Sequence, residues 1–183
     1  MVSTNERAMH CRRMGAVTID RNDYKHWGDP PKQDDFESYS QWEGELRRFG
    51  RGIWDAVGRK TSPRIVVEHT GQDTLPTSLY VCQAGGMVVT CGATTGYGSQ
   101  LDLRHLWMRQ KRLQGSHFAS VQQCAETVRL VAQGELSPCL SRVFRFEETA
   151  EAHQLMYDNR QPPGNMAVLV NAANGEGVGI GSI

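Results

Sequence analysis

The strongest constraint on this chain is its alternation of short β-branched or apolar runs with stretches of helical composition. Val17-Thr18-Ile19, Ile65-Val66-Val67-Glu68, Met87-Val88-Val89-Thr90-Cys91, Leu113–Ser116, Leu140–Phe144 and Met166–Val170 read as strands, the first two as buried ones. Met1-Val2-Ser3-Thr4 reads as the end of another. Asn5–Met14, Leu75–Cys82, Leu103–Met108, Val121–Ala132 and Glu147–Asn159 read as helices or helical turns. Gly15 and Gly134 follow two of them as stop residues, and Glu147–Asn159 carries acids in its first turn, where the helix dipole favours them. Such alternation specifies an α/β domain.

Residues 20–64 break this rhythm. Pro30-Pro31 excludes a helix interior there. After it, Trp42, Leu46, Phe49, Ile53 and Val57 recur at helical spacing and form one face of an amphipathic helix. Val121, Cys124, Ala125, Val128, Val131 and Ala132 line a second such face. Gly85-Gly86 is a turn, and Gly92, Gly96 and Gly98 mark a flexible loop. The tail from Asn171 is Gly-rich and expected to fray. Its Gly175, Gly177, Gly179 and Gly181 precede no helix, so they fail the context of a dinucleotide fingerprint.

The 183 residues suffice for one domain, or one domain and part of another. An apolar fraction of 39% supports a packed core. Twenty Lys+Arg balance twenty Asp+Glu, which argues against nucleic-acid binding and against docking on an anionic membrane. No apolar run approaches the ~20 residues of a membrane span, and no signal-peptide core is present, so a soluble, cytoplasmic protein is expected. Cys11, Cys82, Cys91, Cys124 and Cys139 are odd in number and lack CxxC spacing. Reduced thiols are therefore expected, and no metal site.

Several segments are more specific. Val2-Ser3-Thr4, Cys11–Ala16 and Ile19-Asp20-Arg21 resemble the second strand, following helix and third strand of a medium-chain dehydrogenase/reductase. Glu68-His69-Thr70-Gly71, Gly85–Cys91, Leu106-Trp107-Met108 and Lys111–Ala119 together resemble the crotonyl-CoA carboxylase/reductase family, as does the long segment between Asp20 and Arg64. The resemblance covers roughly residues 2–172. It implies a partial Rossmann-like domain over residues 1–137, comprising strands 2–6 with the first strand missing. Residues 138–172 would be a C-terminal remnant of the GroES-like substrate domain, and 173–183 a flexible tail. It also implies NADPH as cofactor, an enoyl-CoA as substrate, and trapping of the resulting enolate by CO₂ or a proton, without a metal.

The same resemblance suggests roles for individual residues. Ser3 and Arg7 match positions beside the adenosine 2′-phosphate, and a hydroxyl with a guanidinium suits that group. His69 and the Cys91-Gly92 turn follow successive strands, at the sheet edge where ligands sit, and would border the nicotinamide. Arg104 matches an arginine implied in holding CoA, and His117 a catalytic histidine implied in placing CO₂ through a water. Tyr97 and Trp107 read as packing or pocket-lining residues.

No Gly-rich turn of the kind that seats a pyrophosphate is expected ahead of these elements. Without a central first strand, its two neighbours would leave backbone groups unpaired, at about 1–3 kcal/mol each. The expectation is an enoyl-CoA reductase/carboxylase lineage with weak or no turnover by this chain alone. The alternatives are a non-catalytic assembly partner, a homo-oligomer or complement to a homologous chain that dimerises through the strand near Leu113–Ser116, and a truncated reading frame.

Overall fold

The computed structural model describes residues 1–25 and 27–171. They divide into two compact units, Met1–Ala8 with Ala16–Phe118, and Met9–Gly15 with the residues from Ala119 onward. The tail glycines Gly175, Gly177, Gly179 and Gly181 lie outside the described residues.

Helix α1 (Asn5–Arg13) contributes to both units and ends at Gly15, whose φ of +83° is the left-handed conformation that glycine adopts without strain. The first unit continues with α2 (Phe36–Val57), β1 (Ile65–Glu68), α3 (Leu75–Val81), β2 (Met87–Thr90), α4 (Arg104–Trp107) and β3 (Arg112–Gly115). The strands form one parallel sheet in the order β1-β2-β3, with Val66, Val88 and Leu113 abreast. The second unit holds α5 (Val121–Ala132), β4 (Leu140–Phe144), α6 (Thr149–Tyr157) and β5 (Asn165–Val168), with β4 and β5 paired in parallel. The expected α/β class with parallel sheets is what forms.

Helix α2 begins at Asp35, whose carboxylate accepts the Ser38 N–H at 3.1 Å, and ends at Gly58 with φ +70°. Trp42, Leu46 and Phe49 on its predicted face are buried, while Val57 at the last turn is exposed. Tyr24 and Trp27 meet Phe49 edge-on, with ring centroids 5.0 and 5.4 Å away. These rings hold the interrupting segment together, and α2 packs against α3.

The core of the first unit is Leu79 and Cys82 against Val88, with Val66, Leu75, Leu101 and Leu106 packed around them. Burying each such aliphatic side chain contributes about 1.5–3 kcal/mol. Helix α3 lies against β1, α2 and α4 and joins these layers. All five cysteines are free. Among the described residues no helix is long and apolar enough to cross a membrane.

Two sequence expectations need correction. Val17-Thr18-Ile19 is not a buried strand: Val17 is 57% exposed, and the pairing shrinks to one parallel bridge, Val2 with Asp20. Two hydrogen bonds hold it, Val2 N–H to Ile19 C=O at 2.9 Å and Arg21 N–H to Val2 C=O at 2.8 Å. So short a pairing offers no face to bury. Strand β1 is only half buried, because it ends the sheet: Ile65 and Val67 are 61% and 73% exposed. The expected helix α5 does form over Val121–Ala132, with no buried residue.

Leu79→Ala removes the side chain at the centre of the sheet core and should cost about 2–5 kcal/mol in urea unfolding. Val121→Ala, at a position 87% exposed, should stay within about 0.5 kcal/mol of the parent.

Candidate functional site

The parallel register brings Glu68, Thr90 and Gly115 to one edge of the sheet, and the chain leaves each strand there. His69, Cys91-Gly92 and Ser116-His117 are the residues that follow. Backbone bonds carry the register one step further, from Cys91 N–H to Glu68 C=O at 3.0 Å and from Ser116 N–H to Thr90 C=O at 2.8 Å. The edge therefore gathers the expected His69, Cys91, Gly92 and His117 on successive loops.

The loop after β1 is organised by the Glu68 carboxylate. Glu68 is buried, and its Oε1 accepts from Thr70 N–H at 2.8 Å, Gly71 N–H at 3.2 Å and the Thr74 hydroxyl at 2.8 Å. Its Oε2 accepts from the Ser78 hydroxyl at 2.5 Å. Burial alone would raise the Glu68 pKa; these bonds outweigh it and hold the pKa below the usual carboxylate value. The Thr70 and Gly71 amides ahead of α3 are thereby satisfied by a carboxylate of the chain itself, so this turn is not a vacant phosphate seat.

The second loop is laced to the first. Thr95 N–H donates to Thr70 C=O at 2.8 Å, its hydroxyl to the same oxygen at 2.9 Å, and Asp73 N–H donates to the Thr95 hydroxyl oxygen at 3.1 Å. Gly71 has φ +94°, and a Cβ there would lie 2.7 Å from the Ala93 Cα, so only glycine fits. A Cβ on Gly92 would come 3.2 Å from the His69 carbonyl oxygen. On the third loop, the His117 and Phe118 rings stand 3.8 Å apart, and Phe118 takes a left-handed φ of +56°.

Ser3 and Arg7 meet at the start of α1, where the Arg7 guanidinium donates to the Ser3 hydroxyl at 3.4 Å. Asn22 Nδ2 fixes this turn by donating to Ser3 C=O at 3.1 Å. Arg104, on α4, is engaged by the buried Asp102. Its Nε and Nη2 reach the carboxylate at 2.9 and 2.6 Å, and Nη2 donates to the Tyr39 hydroxyl at 3.1 Å. Tyr39 in turn donates to Asp102. The Arg104 bond is the main cause holding the Asp102 carboxyl far below the ordinary range, whereas burial and the Asp102 bond push Tyr39 up to about 12. His105 stacks on Trp42 and meets Tyr80 edge-on, and burial lowers its pKa.

Sequence reasoning did not find Glu68, Asp102 and Tyr39 as organisers. Glu68 had a readable signal: an acid ending a strand, with hydroxyls at Thr70, Thr74 and Ser78 on the following turn and helix. Asp102 followed by Arg104 is another. Tyr39 had none, since its partner lies 63 residues away.

A parallel sheet that delivers three loops to one edge has the architecture of nucleotide-binding α/β domains. The chain belongs to the zinc-binding dehydrogenase family, whose profile matches residues 1–133. It is 47% identical over 154 residues to the crotonyl-CoA carboxylase/reductase of Cereibacter sphaeroides, covering 84% of this chain and 36% of that protein. It is 40% identical over 183 residues to the crotonyl-CoA reductase of Streptomyces avermitilis, covering 98% and 39% respectively. Its fold matches the crotonyl-CoA carboxylase/reductase AntE in complex with NADP, with a TM-score of 0.90 and 55% identity over 94% of this chain and 43% of AntE. The resemblance read from the sequence is thus borne out, and the chain spans about two fifths of these relatives. Among the described residues no three His, Cys, Asp or Glu side chains converge as a metal centre requires.

The depressed Glu68 pKa predicts an acid-side loss of stability. The folded protein binds this proton less tightly than the unfolded chain. Stability is therefore full well above pH 4.5 and is lost as pH falls through the folded pKa. Glu68→Gln should cost about 1–3 kcal/mol at pH 7 and flatten the slope of unfolding free energy below pH 4.5, measured by urea titration at several pH values.

Proposed function

We propose that this chain is the nicotinamide-side portion of an NADPH-dependent enoyl-CoA reductase/carboxylase. The carrying observation is the convergence of His69, Cys91-Gly92 and His117 on one sheet edge, in a chain 55% identical to NADP-bound AntE. The residues present fit the cofactor in part: the Ser3–Arg7 pair offers the donors that a 2′-phosphate needs. NADPH, when bound, supplies a hydride to the β-carbon of the unsaturated thioester. The electrons of the carbon–carbon double bond move onto the thioester as an enolate, whose α-carbon then takes up CO₂ or a proton.

In this reading Ser3 and Arg7 hold the 2′-phosphate, and His69, Cys91 and Gly92 border the nicotinamide. Gly92 keeps a side chain out of that border. Arg104 contacts CoA through whatever donor capacity Asp102 and Tyr39 leave it, and His117 orients CO₂ through a water. The chain supplies one wall of the cleft, and activity requires the remaining three fifths found in the relatives.

The test is a chimera in which residues 1–172 replace the matched span of the Cereibacter sphaeroides enzyme. It should oxidise NADPH in the presence of crotonyl-CoA and bicarbonate, whereas the isolated chain should show no turnover. A folded chimera without crotonyl-CoA-dependent oxidation would refute the reading. Within an active chimera, Arg7→Ala should weaken NADPH about tenfold or more, and NADH much less. His117→Asn should lower CO₂ incorporation relative to NADPH oxidised.

A second reading is favoured by one observation. Strand β3 ends the sheet with all four residues exposed, so a second copy or a homologue can pair there. Light scattering of the isolated chain decides it: a strict monomer would exclude self-pairing.

A further inference from the structure

A guanidinium carries five N–H donors, and the fold engages the inner edge of the one on Arg104. Its Nε and Nη2 donate to the Asp102 carboxylate at 2.9 and 2.6 Å. Nη2 also donates to the Tyr39 hydroxyl oxygen at 3.1 Å, and that hydroxyl gives its own hydrogen to Asp102. Nη2 is then fully used, and Nη1 has no hydrogen-bond partner among the described residues. The Asp102 side chain is 2% exposed and that of Arg104 56%, so the pair has a buried inner end and an open outer one. The Arg104 guanidinium carbon also lies over the Tyr39 ring, 5.5 Å from its centroid. The surface pairs Arg47–Glu43 and Arg129–Glu126 differ, since each joins near neighbours on one helix and has no buried member. An arginine side chain carries about 2 kcal/mol of rotamer entropy. Here a buried carboxylate and a tyrosine 65 residues away restrict that freedom for one exposed cation.

We propose that Tyr39 is a positioning residue for the acyl-CoA substrate: by engaging Nη2 and covering one face of the guanidinium, it aims the free Nη1 donors of Arg104 at a phosphate of CoA. The proposal rests on the functional reading above, in which Arg104 contacts CoA. Asp102 already balances the Arg104 charge, so a further anion gains mainly from donors held in place. Without the Tyr39 hydroxyl the guanidinium can rock on Asp102, and Nη2 regains a donor that competes with Nη1. Burial and the Asp102 bond raise the Tyr39 pKa to about 12, so the hydroxyl keeps its proton across the neutral range. The same contacts fasten α2, a structural role that a phosphate-specific measurement separates from positioning.

The test uses the chimera that carries residues 1–172 and compares crotonyl-CoA with crotonyl-N-acetylcysteamine, a thioester without phosphate. Tyr39→Phe should raise KM for crotonyl-CoA about fivefold and leave kcat within about twofold. KM for the phosphate-free thioester and for NADPH should not move. In an Arg104→Ala background Tyr39→Phe should add nothing, which a double-mutant cycle reads directly. Arg104→Lys should lose nearly as much as Arg104→Ala, because one ammonium cannot serve Asp102 and a phosphate in two fixed directions. An unchanged KM for crotonyl-CoA, an equal rise for both thioesters, a rise for NADPH instead, or full additivity with Arg104→Ala would each overturn the proposal. If Tyr39→Phe lowers the urea midpoint too far to assay, Arg104→Lys decides, and a parental KM in that variant overturns it. An active chimera with a silent Tyr39→Phe sinks this inference and leaves the functional reading standing. An inactive chimera sinks the functional reading, and calorimetry with CoA alone then scores the inference. A Kd that Tyr39→Phe raises about fivefold supports it, and an unchanged Kd or no binding of CoA overturns it.

Discussion

The buried carboxylate of Glu68 is the interaction on which the loop edge of the sheet depends. It closes β1 and caps the turn into α3, accepting from the Thr70 and Gly71 amides and the Thr74 and Ser78 hydroxyls. A buried anion is tolerated only when hydrogen bonds replace its water, and four do so here. The rigid loop then holds the second one through Thr70, Asp73 and Thr95, and the close approach of Gly71 to Ala93 leaves no room for slack. His69 and Gly92 inherit their places from this lacing. The residues expected to meet a ligand are positioned by neighbours that need not touch it.

Asp102 plays a comparable part on the other side of α3. It draws Tyr39 of α2 and Arg104 of α4 to a single buried carboxylate, beside the Trp42, Tyr80 and His105 rings. The long segment between Asp20 and Arg64 is thereby anchored to the sheet unit through Tyr39 on Asp102 and Trp42 on His105. Arg104 is consequently not a free surface cation. Any anion that it meets competes with Asp102, so its contribution to binding depends on geometry more than on charge.

Much of this architecture was legible because local pattern and tertiary structure agree. Ile65-Val66-Val67, Met87-Val88-Val89 and the helical face Trp42-Leu46-Phe49 each obey one period and occupy the elements that period demands. The burial of those elements was less legible. β-Branched composition reports fitness for a strand, not how many neighbours the strand has. Val17 and Val67 therefore look alike in sequence to a buried residue such as Val88, yet lie exposed. The site residues on the sheet edge followed from strand ends and resemblance. Tyr39 and Asp102 did not, because no local pattern encodes a contact across 63 residues.

The asymmetry of the two sheet edges bears on function. Strand β3 ends the sheet with Arg112 and Gln114 among its exposed residues, side chains that tolerate water. Strand β1 ends it with Ile65 and Val67, side chains that do not, beside an orphaned hydroxyl at Thr77. Both edges leave backbone groups and some apolar area to solvent, Leu113 on β3 at 40% exposed, but β1 leaves more, with Ile65 and Val67 at 61% and 73%. The two costs coincide next to His69, on the strand that carries Glu68. Covering that edge would remove water from the flank of the expected nicotinamide site, strengthen the hydrogen bonds already made by Glu68 and stiffen the first loop.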